Sequence, residues 1–243
     1  MSAGLDEART RLLGARSIFV LTGSGISSES GLPTFRGVGG FWRTLRVEEL
    51  ASPEGFAQDP QLVWTWYNER LASHAGAEPN AGHRALAALQ ARHGDFTLAT
   101  QNVDSLHLRA GSRDVLELHG NLREARCDLC GARRLLGAEG FPLAEIEHEC
   151  GGRFRPDIVW FGESLPYDVW ERAAEAASRA DVVLVVGTSG LVNPAAQLVT
   201  HYPSGSAFVI EVNPEATPIS RRADAALRGT AASLLPELAE TPA

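Results

Sequence analysis

Ile18-Phe-Val-Leu21 runs directly into Thr22-Gly-Ser-Gly-Ile-Ser-Ser-Glu-Ser-Gly31, and the fold is read outward from this junction. The apolar run has the composition of a buried strand, and the glycines fall where a strand turns sharply into the next segment. Free backbone amides in such a turn can cradle a pyrophosphate. The spacing departs from Gly-x-Gly-x-x-Gly, since the third glycine arrives only at Gly31, and an ordinary tight turn explains the glycine pair equally well. The continuation, Gly31-Leu-Pro-Thr-Phe-Arg-Gly37 and then Gly39-Gly-Phe-Trp42, holds too many glycines and aromatics for a mere connector and has the character of a lid over a ligand.

Similar short apolar runs recur at Phe96 to Ala99, Val115 to Leu118, Ile158 to Phe161, Val182 to Val186 and Phe208 to Val212. Between several of them lie stretches with apolar residues at helical spacing, at Pro60 to Ser73, Ala81 to His93 and Tyr167 to Ser178. Alternating strands and helices predict an α/β fold, a Rossmann-like parallel sheet with helices on both faces. Composition shifts once, between Arg123 and Arg155, where Cys, Gly, Arg and Glu replace apolar strands. This predicts residues 1–122 and 156–243 as the Rossmann-like domain, with residues 123–155 as a small inserted zinc-ribbon-like module.

The 243 residues are 44% hydrophobic, enough for one sizeable core and unlike a disordered chain. All 22 basic residues are Arg, so a P-loop, which needs a Lys, is excluded. With 30 acidic side chains and a net charge of -8, no attraction to nucleic acid or to an anionic membrane surface is expected. The first sixteen residues lack an apolar signal core, and no apolar run approaches spanning length, so a cytoplasmic protein is expected. Three cysteines, an odd number, argue against a secreted disulfide framework. Oligomeric state is not legible here; a monomer is the default expectation.

Two polar clusters follow predicted strands. Thr100-Gln-Asn-Val-Asp104 places an amide and a carboxylate at a strand's carboxyl end, where they can grip a ribose or cap the turn over Ser105 to Arg109. His119 ends the run from Val115; it serves either as a structural residue or, with an ordinary pKa of roughly 6.5, as a base. Gly187-Thr-Ser189 and Asn213-Pro-Glu215 also follow strands, as phosphate and ribose contacts or as turn punctuation.

Gly23-Ser-Gly-Ile-Ser27, Gly31-Leu-Pro-Thr-Phe-Arg36, Thr100-Gln-Asn-Val-Asp104, Leu118-His-Gly120, Arg155-Pro-Asp-Ile-Val-Trp-Phe-Gly-Glu163, Gly187-Thr-Ser189 and Val212-Asn-Pro-Glu215 resemble, in order, the signature motifs of the sirtuins. The resemblance spans roughly Ile18 to Pro236, with Ser24 a departure where the family usually carries Ala. It implies an enzyme that consumes NAD to remove acyl groups from protein lysines, giving nicotinamide and an acyl-ADP-ribose ester. It further implies that Gly23, Ser24, Gly25, Ile26, Thr34, Phe35, Arg36, Trp42, Gln101, Asn102, Val103, Asp104, Gly187, Thr188, Ser189, Asn213, Pro214, Glu215 and Ala231 line the cofactor site. His119 becomes the base toward a ribose hydroxyl, Asn102 and Asp104 orient ribose and nicotinamide, and Phe35 and Arg36 keep water from the ribosyl cation. Phe161, Gly162 and Asn193 fall where the family adds its substrate peptide as a strand. Transfer of ADP-ribose to a protein side chain and a non-catalytic NAD or ADP-ribose sensor are the competing readings.

Tyr67 and Arg70, three apart on a predicted helix, share a face. A surface helix face explains the pair alone, but sirtuins that remove succinyl and malonyl groups carry Tyr-x-x-Arg in this segment, which implies that the two read an acyl carboxylate. Thr34 and Ala51 agree with that branch, whereas Val47 is bulkier than its usual residue.

Cys127-x-x-Cys130 and Cys150 lie nineteen residues apart, close to zinc-ribbon spacing, yet the fourth cysteine is missing. His148 is the substitute in reach, making either a Cys3His zinc site or a metal-free module held by packing and turns.

Overall fold

The computed structural model describes residues 3–34 and 50–240. Its main sheet holds six strands, β1 (Ser17–Thr22), β2 (Asp95–Thr100), β3 (Leu116–Glu117), β7 (Val182–Val186), β8 (Phe208–Val212) and β9 (Ala225–Leu227), in the order β3-β2-β1-β7-β8-β9. Every pairing is parallel, with Ile18 opposite Phe96 on one side and Val182 on the other. Chain progress reverses between β1 and β7, which opens a crevice at their carboxyl ends, the place where such sheets bind ligands.

Alternation along the strands builds two cores. Ile18, Val20, Leu184, Ile210 and Val212 pack against Leu5, Leu12, Leu86, Leu89, Leu235 and Leu238 from the helices Ala3–Gly14, Ala81–Arg92 and Ala231–Ala239. Phe19, Leu21, Val183 and Val185 pack on the opposite face against the alanines of Tyr167–Arg179. Helices therefore cover both faces, as the strand-helix alternation predicted.

A second, antiparallel sheet of three strands, β4 (Gly120–Cys127), β5 (Arg133–Leu135) and β6 (Phe154–Ile158), is ordered β5-β4-β6. The strand predicted at Ile158 to Phe161 is corrected here: the strand is Phe154–Ile158 and pairs with β4, outside the parallel sheet. Arg155 and Asp157 obscured its alternation, because the sequence reading assigned strands to continuous apolar runs. The helix Pro60–His74 is present, but its apolar residues Val63, Trp64, Tyr67 and Leu71 join Leu122, Ala125, Phe141, Ile158 and Trp160 in a third core, beside the small sheet. Trp64 stacks on Phe141 at 4.2 Å between ring centroids and donates its indole hydrogen to the Phe154 carbonyl.

Candidate active site

The glycine loop closes over the switch point by backbone-to-backbone contact. Gly23 N donates to Val186 O at 3.0 Å, Gly25 N to Gly187 O at 2.8 Å and Ile26 N to Gly23 O at 3.1 Å. A Cβ on Gly25 would stand 2.7 Å from Gly187 O, and one on Gly187, which has φ +59°, would stand 2.5 Å from Ile26 N. The amides of Gly23, Gly25 and Ile26 are thus used within the protein, and the missing side chains at Gly23 and Gly25 let β1 and β7 approach. Ile26 turns its side chain into the core.

Thr188, after β7, ties its strand tip to those of β2 and β8. Its hydroxyl accepts from Gln101 Nε2 at 2.9 Å, and its carbonyl accepts from Asn213 Nδ2 at 2.9 Å. Ser24 is partly open above this junction, while Pro214 and Glu215 are exposed at its rim. Ala231 opens the helix Ala231–Ala239 and is packed so close to Gly82 that a Cβ there would meet its carbonyl oxygen at 2.9 Å.

Ser27 is the centre of a second set of bonds that the sequence reading did not single out. Its hydroxyl donates to Asp104 Oδ2 at 2.7 Å and accepts from Asn102 Nδ2 at 3.1 Å, with His83 Nε2 at 3.4 Å. Asp104 Oδ1 accepts from Leu106 N at 2.9 Å, so the capping role and the site position belong to one carboxylate. Asn102 is buried, and its own amide donates to Thr100 Oγ1 at 3.1 Å. Beneath it Thr22 donates to Thr100 Oγ1 at 2.8 Å, and His107 Nε2 lies 2.9 Å from Thr22 Oγ1. Burial drives the pKa of His107 down to about 3 and that of His83 to about 4, so both rings are neutral at pH 7. His83 carried a signal, since Asn80 and His83 form a capping box at the start of Ala81–Arg92; His107 carried none, since its value lies in the strand tips above it.

His119 follows β3 and reaches the same edge. Its Nδ1 faces the Gln101 carbonyl at 3.0 Å, and Val159 N donates to its own carbonyl at 3.0 Å. A carbonyl can only accept, so Nδ1 carries the hydrogen and Nε2 keeps its lone pair. Burial lowers the pKa from its ordinary 6.5, against the smaller raising effect of the Gln101 carbonyl. Gly120, at φ +80°, must lack a side chain because a Cβ would fall 1.9 Å from Asp157 O.

Tyr67 and Arg70 are both buried on one face of Pro60–His74. The Tyr67 hydroxyl accepts from Trp160 Nε1 at 2.9 Å, and burial pushes the phenol up to about 12, with Arg70 opposing that rise. The Arg70 guanidinium lies 4.9 Å over the Trp66 ring, and burial lowers its pKa. Arg70 and His74 share a pocket with Ser24, Ser27, Asn102, Val103 and Asp104, so the helix face and the strand tips line one cavity.

Phe161 and Gly162 form an exposed turn after β6, with Phe161 N donating to Ala51 O at 3.1 Å and Gly162 at φ +82°. Asn193 is exposed. Thr34 is half-buried; Phe35, Arg36, Trp42 and Val47 lie outside the described residues.

In the small sheet, Cys127, Cys130, His148 and Cys150 bring one ligand atom each within 4.8 Å of one another. Cys127 Sγ and Cys150 Sγ are 3.5 Å apart, Cys130 Sγ is 3.7 Å from His148 Nδ1, and His148 Nδ1 is 3.0 Å from Cys150 Sγ. Bonds of about 2.3 Å to sulfur and about 2.0 Å to nitrogen at tetrahedral angles put neighbouring donors about 3.5 to 3.8 Å apart, so the donor set and the Cys127–Cys150 and Cys130–His148 spacings fit zinc, while His148 Nδ1 and Cys150 Sγ stand closer than a bound ion would hold them. Two tight turns, closed by Gly131 N to Cys127 O and Gly151 N to His148 O, carry the four residues.

A profile of the Sir2 family matches residues 23–194. NAD-dependent protein deacylase 2 of Pyrobaculum aerophilum is 48% identical over 229 residues, covering 94% of this chain and 92% of that protein. A solved Sir2 homolog–NAD complex is 43% identical, covers 96% of this chain and 92% of its own, and superposes with a TM-score of 0.88. A Sir2 mutant solved with deacetylated p53 peptide and 3'-O-acetyl ADP-ribose is 30% identical, with 96% of each chain covered and a TM-score of 0.86. With a parallel sheet whose strand tips gather the motif residues, and with nearly half its residues shared with a protein deacylase over almost the whole length, this chain belongs to the Sir2 family.

Proposed function

We propose that the protein is an NAD-dependent protein-lysine deacylase that prefers succinyl and malonyl over acetyl groups. The observation that carries this reading is the single crevice in which Ser27, Asn102, Asp104 and Arg70 meet at the switch point between β1 and β7. Bound NAD would supply a nicotinamide leaving group and an ADP-ribose that accepts the acyl group; with one water consumed to release the lysine amine, the products are nicotinamide, free lysine and O-acyl-ADP-ribose. Thr188, Asn213 and Gln101, already locked to one another, present the polar edge for its phosphates and ribose. Asn102 and Asp104, fixed through Ser27, orient the reacting ribose and nicotinamide with little freedom left to lose, which is catalysis by positioning. His119 takes a proton from a ribose hydroxyl at Nε2, the nitrogen its Gln101 bond leaves basic. Arg70, with the Tyr67 hydroxyl, holds the distal carboxylate of the acyl chain. Phe161, Gly162 and Asn193 receive the peptide backbone, and Phe35 and Arg36 exclude water.

The four-ligand cluster holds a structural zinc in the small module, whose sheet reaches beyond residues 123–155 to Gly120 and Ile158 and packs on Pro60–His74, and the parallel sheet with its covering helices is the NAD-binding domain. Thiols used for metal rather than disulfides match a cytoplasmic enzyme.

Incubation with NAD and a succinyl-lysine peptide, and in parallel its acetyl form, tests the proposal. Nicotinamide and deacylated peptide should appear in equal amounts, faster with the succinyl form. ADP-ribosylated protein in place of deacylated peptide would favour transfer to a side chain, and no release of nicotinamide would end the reading.

A further inference from the structure

Trp160 stands between the acyl-reading helix and the peptide-facing turn, and its side chain is buried away from any peptide. Its indole Nε1 donates to the Tyr67 hydroxyl at 2.9 Å, with both side chains buried. The indole itself is clamped. The Arg155 guanidinium carbon lies 3.4 Å from the Trp160 ring centroid. Arg155 is held in turn by Glu163, through Nη2 to Oε2 at 2.9 Å and Nη1 to Oε1 at 2.5 Å, and Nη2 also donates to the Ile158 carbonyl at 2.9 Å. Glu163 Oε2 accepts from the Trp160 amide at 2.8 Å, which closes the ring of contacts on the same residue. The Glu163 carboxyl is held below its ordinary range by Arg155 and the Trp160 amide, which outweigh the burial that raises it, so the clamp stays charged at neutral pH.

A phenol hydroxyl has one hydrogen and acceptor lone pairs. Trp160 fills an acceptor direction of Tyr67 with a donor that cannot rotate away, and among the described residues the phenol donates no hydrogen bond. That hydrogen is therefore left to point away from Trp160, and burial keeps the phenol protonated, hence a donor, at any working pH. We propose that Trp160, fixed by the Arg155–Glu163 pair, is a positioning residue for acyl selection: its indole N–H orients the Tyr67 hydroxyl so that the phenol hydrogen is offered to the acyl carboxylate beside Arg70. The inference rests on the reading of Tyr67 and Arg70 as the carboxylate site.

The test is Trp160→Phe, which keeps an aromatic ring over Arg155 and removes the N–H donor together with part of the indole, compared with Tyr67→Phe and the double variant on succinyl and acetyl forms of one peptide at saturating NAD. Trp160→Phe should raise the ratio of the succinyl KM to the acetyl KM about tenfold, the size expected for a misdirected bond to a charged group, with kcat changing less than KM. The double variant should raise the ratio no further than Tyr67→Phe alone, because both changes remove one bond. Equal shifts on the two peptides, no shift, or effects that multiply in the double variant would overturn the inference. Glu163→Gln, which keeps the indole and loosens the clamp, should move the ratio in the same direction by less, and gives a second route should Trp160→Phe fold poorly. Wild-type protein that does not distinguish the two peptides would overturn the carboxylate site itself and this inference with it. A discriminating wild type with an unchanged Trp160→Phe would overturn the inference alone.

Discussion

His119 has its tautomer determined by one bond, from Nδ1 to the Gln101 carbonyl, which leaves the Nε2 lone pair for the proposed role as base. Replacing it with Ala should lower kcat by about a hundredfold or more, the usual worth of a positioned general base, with KM for NAD little changed. Because burial depresses its pKa below 6.5, the neutral, competent ring already dominates at neutral pH. The acid limb of the kcat/KM profile should therefore lie below pH 6.5, and a limb above 7 would show that the base is another group. At Arg70, the proposed function gives the guanidinium the task of distinguishing a dicarboxylic acyl chain from an acetyl group. Arg70→Met should cost about tenfold or more in kcat/KM for the succinyl peptide and little for the acetyl peptide; equal losses on both would remove the selectivity claim. The sequence marked both residues by motif, but the tautomer of His119 and the seating of Arg70 among Ser24, Ser27 and Asp104 depend on contacts between distant segments.

Among the elements, the junction of β1 with β7 is the least tolerant. Gly187 combines a left-handed backbone with a Cβ position 2.5 Å from Ile26 N, and neither obstacle is a side chain that can swing aside. The left-handed backbone alone costs an L-residue about 1 to 2 kcal/mol, and the clash adds to it. Gly187→Ala should therefore lower the thermal midpoint by several degrees and weaken NAD binding measured by calorimetry. Gly205→Ala, where a Cβ meets nothing within 4 Å, is the control. In the small sheet, the four metal ligands sit on two turns with little apolar support, since Cys130, Cys150 and the nearby Leu129 are exposed. Purified protein should carry one zinc per chain by elemental analysis, lost in Cys127→Ala and in His148→Ala with a fall in thermal stability. Retained metal in His148→Ala would assign the fourth position to another ligand. The apolar runs predicted five strands of the large sheet's inner and flanking positions within about two residues, yet Phe154–Ile158 was misplaced, because a strand carrying Arg155 and Asp157 is recognisable only once its partner β4 is known.

Over the whole molecule, buried titratable groups set the response to acid. His83 and His107 have folded pKa values of about 4 and about 3 against an ordinary 6.5, so on acidification the unfolded chain takes up their protons first, and stability falls from pH 6.5 downward. Glu117 works the other way: burial raises it to about 7 from 4.5, so between those values the folded state holds a proton that the unfolded state releases, and its contribution is lost as pH rises through 7. Near pH 5.5 His83 and His107 take up about two protons on unfolding and Glu117 gives up about one, and His74 and His119, whose pKa values burial also lowers, add to the uptake. Urea midpoints measured from pH 6.5 to 5 should fall accordingly, and Glu117→Gln should make the fall steeper; an unchanged slope would show that Glu117 titrates normally. By itself, the sequence determined the parallel α/β scaffold, the strand tips that carry the motifs and the candidate metal-ligand set, because these follow from local periodicity, turn chemistry and residue type. Only the tertiary structure decided that the glycine amides serve the β1–β7 contact, that Ser27 joins Asn102 to Asp104, that His83 and His107 lie neutral beneath them, and that Pro60–His74 belongs with the small sheet. Each of these depends on how far apart in the chain the partners lie, and residues separated by tens of positions leave no periodic trace of the contact they will make.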